Sequence, residues 1–242
     1  MRRMPPLYLF TDFGWAGPYV GQLHAAALGV DPGLHVVDLM HDVPAMRPDL
    51  AAYLLPAACA TLTSGIVVAV VDPGVGGERA ALVVRTPRLT FVGPDNGLLS
   101  RIAGVTSVSR VLWRPADLSA SFHGRDLFTP VAARLACGDA VATGDVAPDS
   151  LVGAGWPDDV WRVVYVDGFG NAMLGVRAAA CGADRVLRVA GQVLAHAETF
   201  CRTAPGTPFW YQNSQGLVEI AVSGGSAAAR LALEVGDEIL LD

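Results

Sequence analysis

A chain of 242 residues that is 52% hydrophobic and 17% charged has the material for one large or two modest domains, and is not a disordered polymer. A formal charge of −6, a pI near 5.3 and no basic cluster longer than Arg2-Arg3 argue against a nucleic-acid partner. No apolar run approaches a membrane span, and LYLF at 7–10 is too short for a secretory core, so a cytoplasmic protein is expected.

In chain order, LYLF reads as a strand ending at Thr11-Asp12-Phe13-Gly14. Residues 18–29 read as a helix opened by proline, and HVVDLM at 35–40 as a second strand ending at His41-Asp42. Residues 48–62 read as a helix that Pro56 kinks or divides. IVVAVV at 66–71, AALVVRT at 80–86, LTFVG at 89–93 and SRVLW at 109–113 read as further strands, followed by a helix over 125–137. Near-continuous apolar strands alternating with helices predict an α/β fold, a doubly wound and mostly parallel sheet covered on both faces.

The texture changes at 145–160, where DVAPDSLVGAGWPDD has the composition of a linker. Beyond it come short β-like runs: WRVVYVD (161–167), RVLRVAG (185–191), FWYQNS (209–214), LVEIAV (217–222) and EILLD (238–242). Glycines punctuate them, and a small all-β barrel or sandwich is expected. The organisation predicted is an N-terminal α/β domain over 1–150 and a C-terminal β domain over 160–242.

Chemistry concentrates where strands end. Asp12, Asp38, Asp72 and Asp95 each follow a predicted strand, and the carboxyl ends of strands line the ligand crevice of an open α/β sheet. One such aspartate is ordinarily a turn former or cap; four at equivalent positions point to a site. VVDPGVGGER at 70–79 feeds a buried strand into a glycine-rich turn carrying a carboxylate and a guanidinium seven residues apart. Every basic residue is arginine, which excludes a lysine Schiff base and the usual phosphate-loop lysine. His123, in SFHGRD beside Phe122, is a candidate proton carrier. His24, His35 and His196 read as ordinary satisfied histidines. Cys59, Cys137, Cys181 and Cys201 have neither disulfide-framework nor zinc spacing. In the C-terminal part, Phe169 in DGFGN is equally a turn plug or a stacking platform for a flat ring, with Asn171 reading its edge.

These segments together resemble the S-adenosylmethionine (SAM) hydroxide adenosyltransferases, relatives of the SAM-dependent fluorinase and chlorinase. The resemblance rests on LFTDFG (9–14), YVGQL (19–23), VVDLMHDVP (36–44), VVDPGVGGER (70–79), FVGPDNGLL (91–99), FHGRDLFTPVAA (122–133), YVDGFGN (165–171), NSQGLVEIAV (213–222) and GGSAA (224–228), in the family's order. It implies an N-terminal α/β domain, a small C-terminal β-barrel, and a homotrimer that binds SAM between one subunit's N-terminal domain and a neighbour's C-terminal domain. It implies Asp72, Arg79 and His123 as the catalytic set. Asp12 would hold the ribose hydroxyls, and Phe122, Phe169, Asn171, Phe200, Ser214, Ser226 and Ala227 would contact the substrate. No cofactor or metal is implied. Halogenating relatives carry Tyr at the position of Asp72, and fluorinases Ser at that of Gly124. The chain departs from the family pattern at Gly17, where Asp is usual, and at Gly175, where Asn is usual. Other readings of the residues alone are a metal-dependent nucleotidase or phosphatase using Asp12, Asp38, His41 and Asp72, and a non-catalytic SAM or adenosine binder.

Overall fold

The computed structural model describes residues 4–240, and the chain divides into two compact units, Met1–Trp156 and Pro157–Asp242. The Arg2-Arg3 pair and the last two residues of EILLD lie outside the described residues.

The N-terminal unit runs β1 (Leu7–Thr11), α1 (Tyr19–Val30), β2 (Val36–Met40), α2 (Pro48–Ala58), β3 (Gly65–Val70), β4 (Ala81–Arg85), β5 (Leu89–Pro94), β6 (Ser107–Val111), α3 (Thr129–Cys137) and β7 (Thr143–Asp145). They build one seven-stranded sheet of order β2-β1-β3-β5-β4-β6-β7. The sheet is mixed, which corrects the mostly parallel expectation: β2, β1, β3 and β5 are parallel neighbours, while β4, β6 and β7 pair antiparallel. The cause is local. Only residues 86–88 separate β4 from β5, too few for a crossover, so the two close as a hairpin. Leu7 and Leu9 of β1 and Ile66, Val68 and Val70 of β3, alternate residues of each strand, share one core with Leu23 and Ala27 of α1 and Val131, Ala132 and Ala133 of α3. Pro56 does not divide α2. It sits in the last turn, and the helix stops at Ala58 instead of running to 62.

The C-terminal unit runs β8 (Val160–Val166), β9 (Ala172–Arg177), α4 (Ala178–Cys181), β10 (Leu187–Val189), β11 (Gln192–Leu194), β12 (Pro208–Gln212), β13 (Leu217–Val222) and α5 (Ala227–Leu231). Its main sheet is antiparallel, β12-β13-β9-β8, with β10-β11 a separate hairpin. Both edges gain partners outside named strands. Val163 N–H donates to Asp237 O and Ile239 N–H to Trp161 O, while residues 195–197 bond Trp210 through backbone. Among the described residues the sheet does not close into a barrel, and α4 and α5 break the all-β expectation. The described residues of EILLD form no named strand, and Glu238 makes an isolated bridge to Arg162. Gly175 lies inside β9 beneath Val160 and Val164, in the space a side chain would need. Among the described residues no helix is long and apolar enough to cross a membrane.

Candidate active site

Of the four aspartates expected at strand ends, Asp38 instead lies inside β2, and two of the others converge. β1 and β3 are adjacent and in register at Thr11 and Val70, so Asp12 and Asp72 leave the sheet side by side. β3 is buried along its whole length and delivers Asp72 to the floor of the crevice. The glycine turn then folds back, with Val75 N–H bonded to Asp72 O and Gly77 N–H to Gly74 O. That return brings Arg79 onto Asp72 as a two-pronged pair: Nε donates to Oδ1 at 2.7 Å, and Nη2 donates to Oδ2. Their side chains are only 11% and 5% exposed. The Arg79 guanidinium also lies 5.5 Å over the Phe128 ring. Asn96, from the PDNG segment, donates from Nδ2 to Val71 O at 2.8 Å and braces the backbone just before Asp72.

The third member arrives from the far side of the sheet. The expected helix over 125–137 opens as a π-turn, Gly124–Phe128, with Thr129 N–H bonded to Gly124 O, before α3 begins. Pro130 has no N–H and would break an α-register here, and the wider turn accommodates it. His123 precedes this turn. Its Nδ1 lies 2.9 Å from Arg79 Nη2. A guanidinium only donates, so Nδ1 accepts and the proton of the neutral ring sits on Nε2. Burial and the Arg79 charge beside it both push the His123 pKa below its ordinary value. Gly76 lets the two loops meet. At φ +80° its α-carbon faces the Ala120 carbonyl oxygen so closely that a Cβ could not be placed between them.

Asp12 lines the same pocket. Its Oδ2 accepts the Met46 N–H at 2.9 Å. Burial raises its pKa against the lowering effect of that bond, and the nearby Asp72 charge adds to the rise. Phe13, Tyr19 and Phe122 form an aromatic trio with centroids 5.4–5.9 Å apart along one wall. With Met46, Val75, Ser121 and Gly124 they enclose about 340 Å³, the size of a small-molecule site. Phe13, Tyr19 and Met46 escaped the sequence reading as pocket residues; the TDFG and YVGQL segments that carry the first two were its only signal.

Asp38 and Asp95 do not join the pocket lining. Asp38 accepts from His24 and His41, and Asp95 caps the Val152 N–H at 3.0 Å. Asp38 and His41 are thus committed to each other, and among the described residues no group of three or more His, Cys, Asp or Glu could hold a metal ion. His24, read as an ordinary histidine, proves to be a partner of Asp38 across 14 residues of sequence.

In the C-terminal unit Asp167 organises the DGFGN turn. Its Oδ1 accepts the Phe169 and Asn171 N–H groups, and Oδ2 accepts Asn171 Nδ2 at 3.0 Å. Phe169 is left 83% exposed, and the buried Asn171 Oδ1 has no partner. Gly170, at φ +83°, packs directly on Ser226, and Ala228 N–H bonds to Gly170 O, so the turn and the start of α5 are one feature. The Ser226 hydroxyl already caps α5 through Ala229 N–H, and the Ala227 side chain is buried, so this stretch offers a ligand chiefly backbone. Phe200 belongs to an aromatic group with Phe209 and Tyr211. Ser214 stands exposed on a turn whose anchor, Asn213, is held by Glu219 at 2.7 Å. Glu219 is buried, which raises its pKa against the bonds from Tyr211 and Asn213.

The family model of the SAM hydroxide adenosyltransferase N-terminal domain matches residues 7–144, and that of the C-terminal domain residues 161–240. An (R)-S-adenosyl-L-methionine hydrolase from Salinispora arenicola is 37% identical over 256 residues, covering 99% of this chain and 98% of the relative. One from Thermus thermophilus is 36% identical, covering 98% of this chain and all of the relative. A crystal structure of an uncharacterized conserved protein from Thermotoga maritima superposes with a TM-score of 0.80 at 28% identity, covering 96% of this chain and 98% of its own. With both family domains matched in order and full-length relatives above 30% identity, the chain belongs to the SAM hydroxide adenosyltransferase family.

Proposed function

We propose that this chain hydrolyses S-adenosyl-L-methionine to adenosine and L-methionine by attack of water at C5′. One observation carries the reading: a buried carboxylate, guanidinium and neutral imidazole meet at the floor of a pocket whose wall is aromatic and whose second acid, Asp12, stands alongside. The sulfonium leaves as a neutral thioether, so departure needs no acid. The task is the nucleophile, since bulk water has a pKa of about 15.7.

The hydrogen-bond directions divide the labour. Arg79 occupies the one lone pair of the His123 ring, at Nδ1, so the imidazole has none left to take a proton from water. His123 Nε2–H acts as a donor that holds the attacking oxygen. Asp72 is the proton acceptor, with lone pairs remaining beyond the two that Arg79 engages. Arg79, fixed in charge, stabilises hydroxide character as it develops. Asp72 also separates this reading from halogenation, because a halide needs no proton acceptor.

Asp12 takes a ribose hydroxyl on its carboxylate, and Phe122 flanks the sugar. Phe169, Asn171, Phe200, Ser214, Ser226 and Ala227 contact the adenine and methionine portions from a C-terminal unit, the orphaned Asn171 oxygen accepting an N–H of the ligand. The assembly is a cytoplasmic homotrimer in which a neighbouring subunit supplies that unit, a reading supported by exposed Trp15, Tyr19 and Phe169. Neither cofactor nor metal takes part.

Incubating the purified chain with SAM and resolving products by chromatography tests the proposal. Equimolar adenosine and methionine, unaffected by EDTA, are expected. Activity lost on chelation and restored by a divalent ion would sink it in favour of the metal-dependent nucleotidase. 5′-Halo-5′-deoxyadenosine in chloride or fluoride would favour the halogenase, and binding without turnover the sensor.

A further inference from the structure

Beside the pocket, four polar side chains with no part in the water chemistry form a continuous chain. Asp38 Oδ1 accepts Nε2–H from His24 at 2.7 Å and from His41 at 2.9 Å. His41 Nδ1 lies 2.7 Å from Thr11 Oγ1, which also accepts the Phe13 N–H at 3.2 Å. His41 is fully buried, with Trp15 edge-on to its ring at 4.8 Å. The direction of the chain follows from valence. The Asp38 carboxylate only accepts, so His41 Nε2 carries a proton, and the Nδ1 lone pair of the neutral ring takes the Thr11 hydroxyl proton. Burial would raise the Asp38 carboxyl, but the two imidazoles outweigh it and hold the pKa below the usual range.

The placement of this chain matters more than its strength. Asp12 follows Thr11 directly, and Met46, whose N–H its carboxylate accepts, lies five residues past His41. Backbone bonds from Gly14 N–H to His41 O at 2.6 Å and from Val43 N–H to Thr11 O at 3.3 Å join the same two segments. Met46 itself sits at φ 57°, a left-handed conformation that a side chain adopts only when its surroundings impose it. The two walls that aim Asp12 are therefore pinned to each other by the Thr11–His41–Asp38 link.

We propose that Thr11, His41 and Asp38 are positioning residues that set the direction of the Asp12 carboxylate, and so the grip on the substrate, without touching the reaction at Asp72, Arg79 and His123. This rests on the reading that Asp12 contacts the substrate. The test compares Thr11→Val, which keeps the shape and loses the hydroxyl, with Thr11→Ser, which keeps the hydroxyl, and adds Asp38→Ala as an independent break. SAM turnover gives kcat and KM, and calorimetry with SAM gives Kd without turnover. Thr11→Val and Asp38→Ala are expected to raise KM and Kd about tenfold with kcat within about twofold, and Thr11→Ser to restore both, as loss of one buried hydrogen bond predicts. A purely structural role would lower the folded fraction, seen as reduced apparent kcat and melting temperature at unchanged KM and Kd, and would overturn the inference. Wild-type KM and Kd in Thr11→Val, in a chain that hydrolyses SAM, would overturn it while the function stands. A wild-type chain that binds SAM but does not hydrolyse it would end the hydrolase reading, and the Kd comparison would still decide this inference. Failure to bind SAM at all would end both.

Discussion

Replacing Gly76 by alanine should cripple turnover through geometry alone, since Gly76 has no side chain to contribute chemistry. Two costs act. The residue sits at φ +80°, where an L-residue is disfavoured by about 1–2 kcal/mol. A Cβ there would also fall well inside 3.0 Å of the Ala120 carbonyl oxygen, a backbone atom that cannot rotate away. The two loops must then separate by roughly half an ångström or more to reach a tolerable contact. Ala120 lies three residues before His123, and Gly76 three before Arg79, so the separation falls on the 2.9 Å bond between Arg79 Nη2 and His123 Nδ1. Stretched by that amount it passes the range of a useful hydrogen bond, and displacement on this scale at a reacting centre costs up to about a hundredfold in rate. The expected result is kcat lowered ten- to a hundredfold, with a melting temperature about 2–8 °C lower from the conformational term. Steady-state assay of SAM hydrolysis beside a thermal melt measures both. A Gly76→Ala enzyme with wild-type kcat would refute the reasoning, because the approach of the two loops would then be incidental.

Asp72→Asn should lower turnover by roughly two to four orders of magnitude, by loss of the proton acceptor. It should also destabilise the fold by about 3 kcal/mol, because Arg79 is left buried without its counter-charge; hydrolysis at the wild-type rate would remove Asp72 from the chemistry. Gly124→Ser would set a Cβ 3.1 Å from Phe13 Cζ and 3.3 Å from Phe122 Cε2, so KM for SAM should rise several-fold; an unchanged KM would mean the aromatic wall yields freely. Protonating His123 must eject the Arg79 hydrogen bond, so activity should fall on the acid side only below pH 6.5, at the lowered His123 value. The stability this neutral histidine contributes is complete above pH 6.5 and is lost as pH falls through that lowered value; a kcat/KM profile with its acid limb above pH 6.5 would contradict the assigned environment.

Much of the fold was legible because period and punctuation carry it. The apolar run at 66–71 becomes β3, buried at every position, and the turn after it is where the site lies. The antiparallel half of the sheet went unread because strand direction is not written in composition; only the three-residue gap between β4 and β5 encoded it. β9 was missed altogether, since Gly175 interrupts AMLGVR and its fitness for a strand depends on Val160 and Val164 filling the gap from β8. Four strand-end acids looked equivalent in sequence, yet Asp38 and Asp95 are used up by His24, His41 and Val152, partners between 3 and 57 residues away. No local pattern announces such partners. The direction of the His123 bond was equally beyond the sequence, because it depends on which ring nitrogen meets Arg79.

That bond direction connects binding to release. Two acids, Asp12 and Asp72, line the pocket, and Arg79 is the cation paired with Asp72, while His123 is kept neutral by burial and by Arg79. With both acids ionised, these three groups carry one net negative charge, and the Asp12 pKa is raised chiefly by burial, with a smaller rise from the Asp72 charge. A sulfonium placed beside them offsets that charge: SAM, with its ammonium and carboxylate cancelling, brings one net positive charge. Attack at C5′ destroys it and passes the water's proton to Asp72; once Asp72 has released that proton to solvent, uncharged adenosine and zwitterionic methionine offer the two carboxylates no net counter-charge. Had His123 been held as an imidazolium, the pocket would have been neutral and the sulfonium repelled from the nitrogen we propose to orient the water. The Arg79 hydrogen bond to Nδ1 thus serves two ends at once: it denies His123 the proton, and it preserves the negative field that favours the substrate over both products.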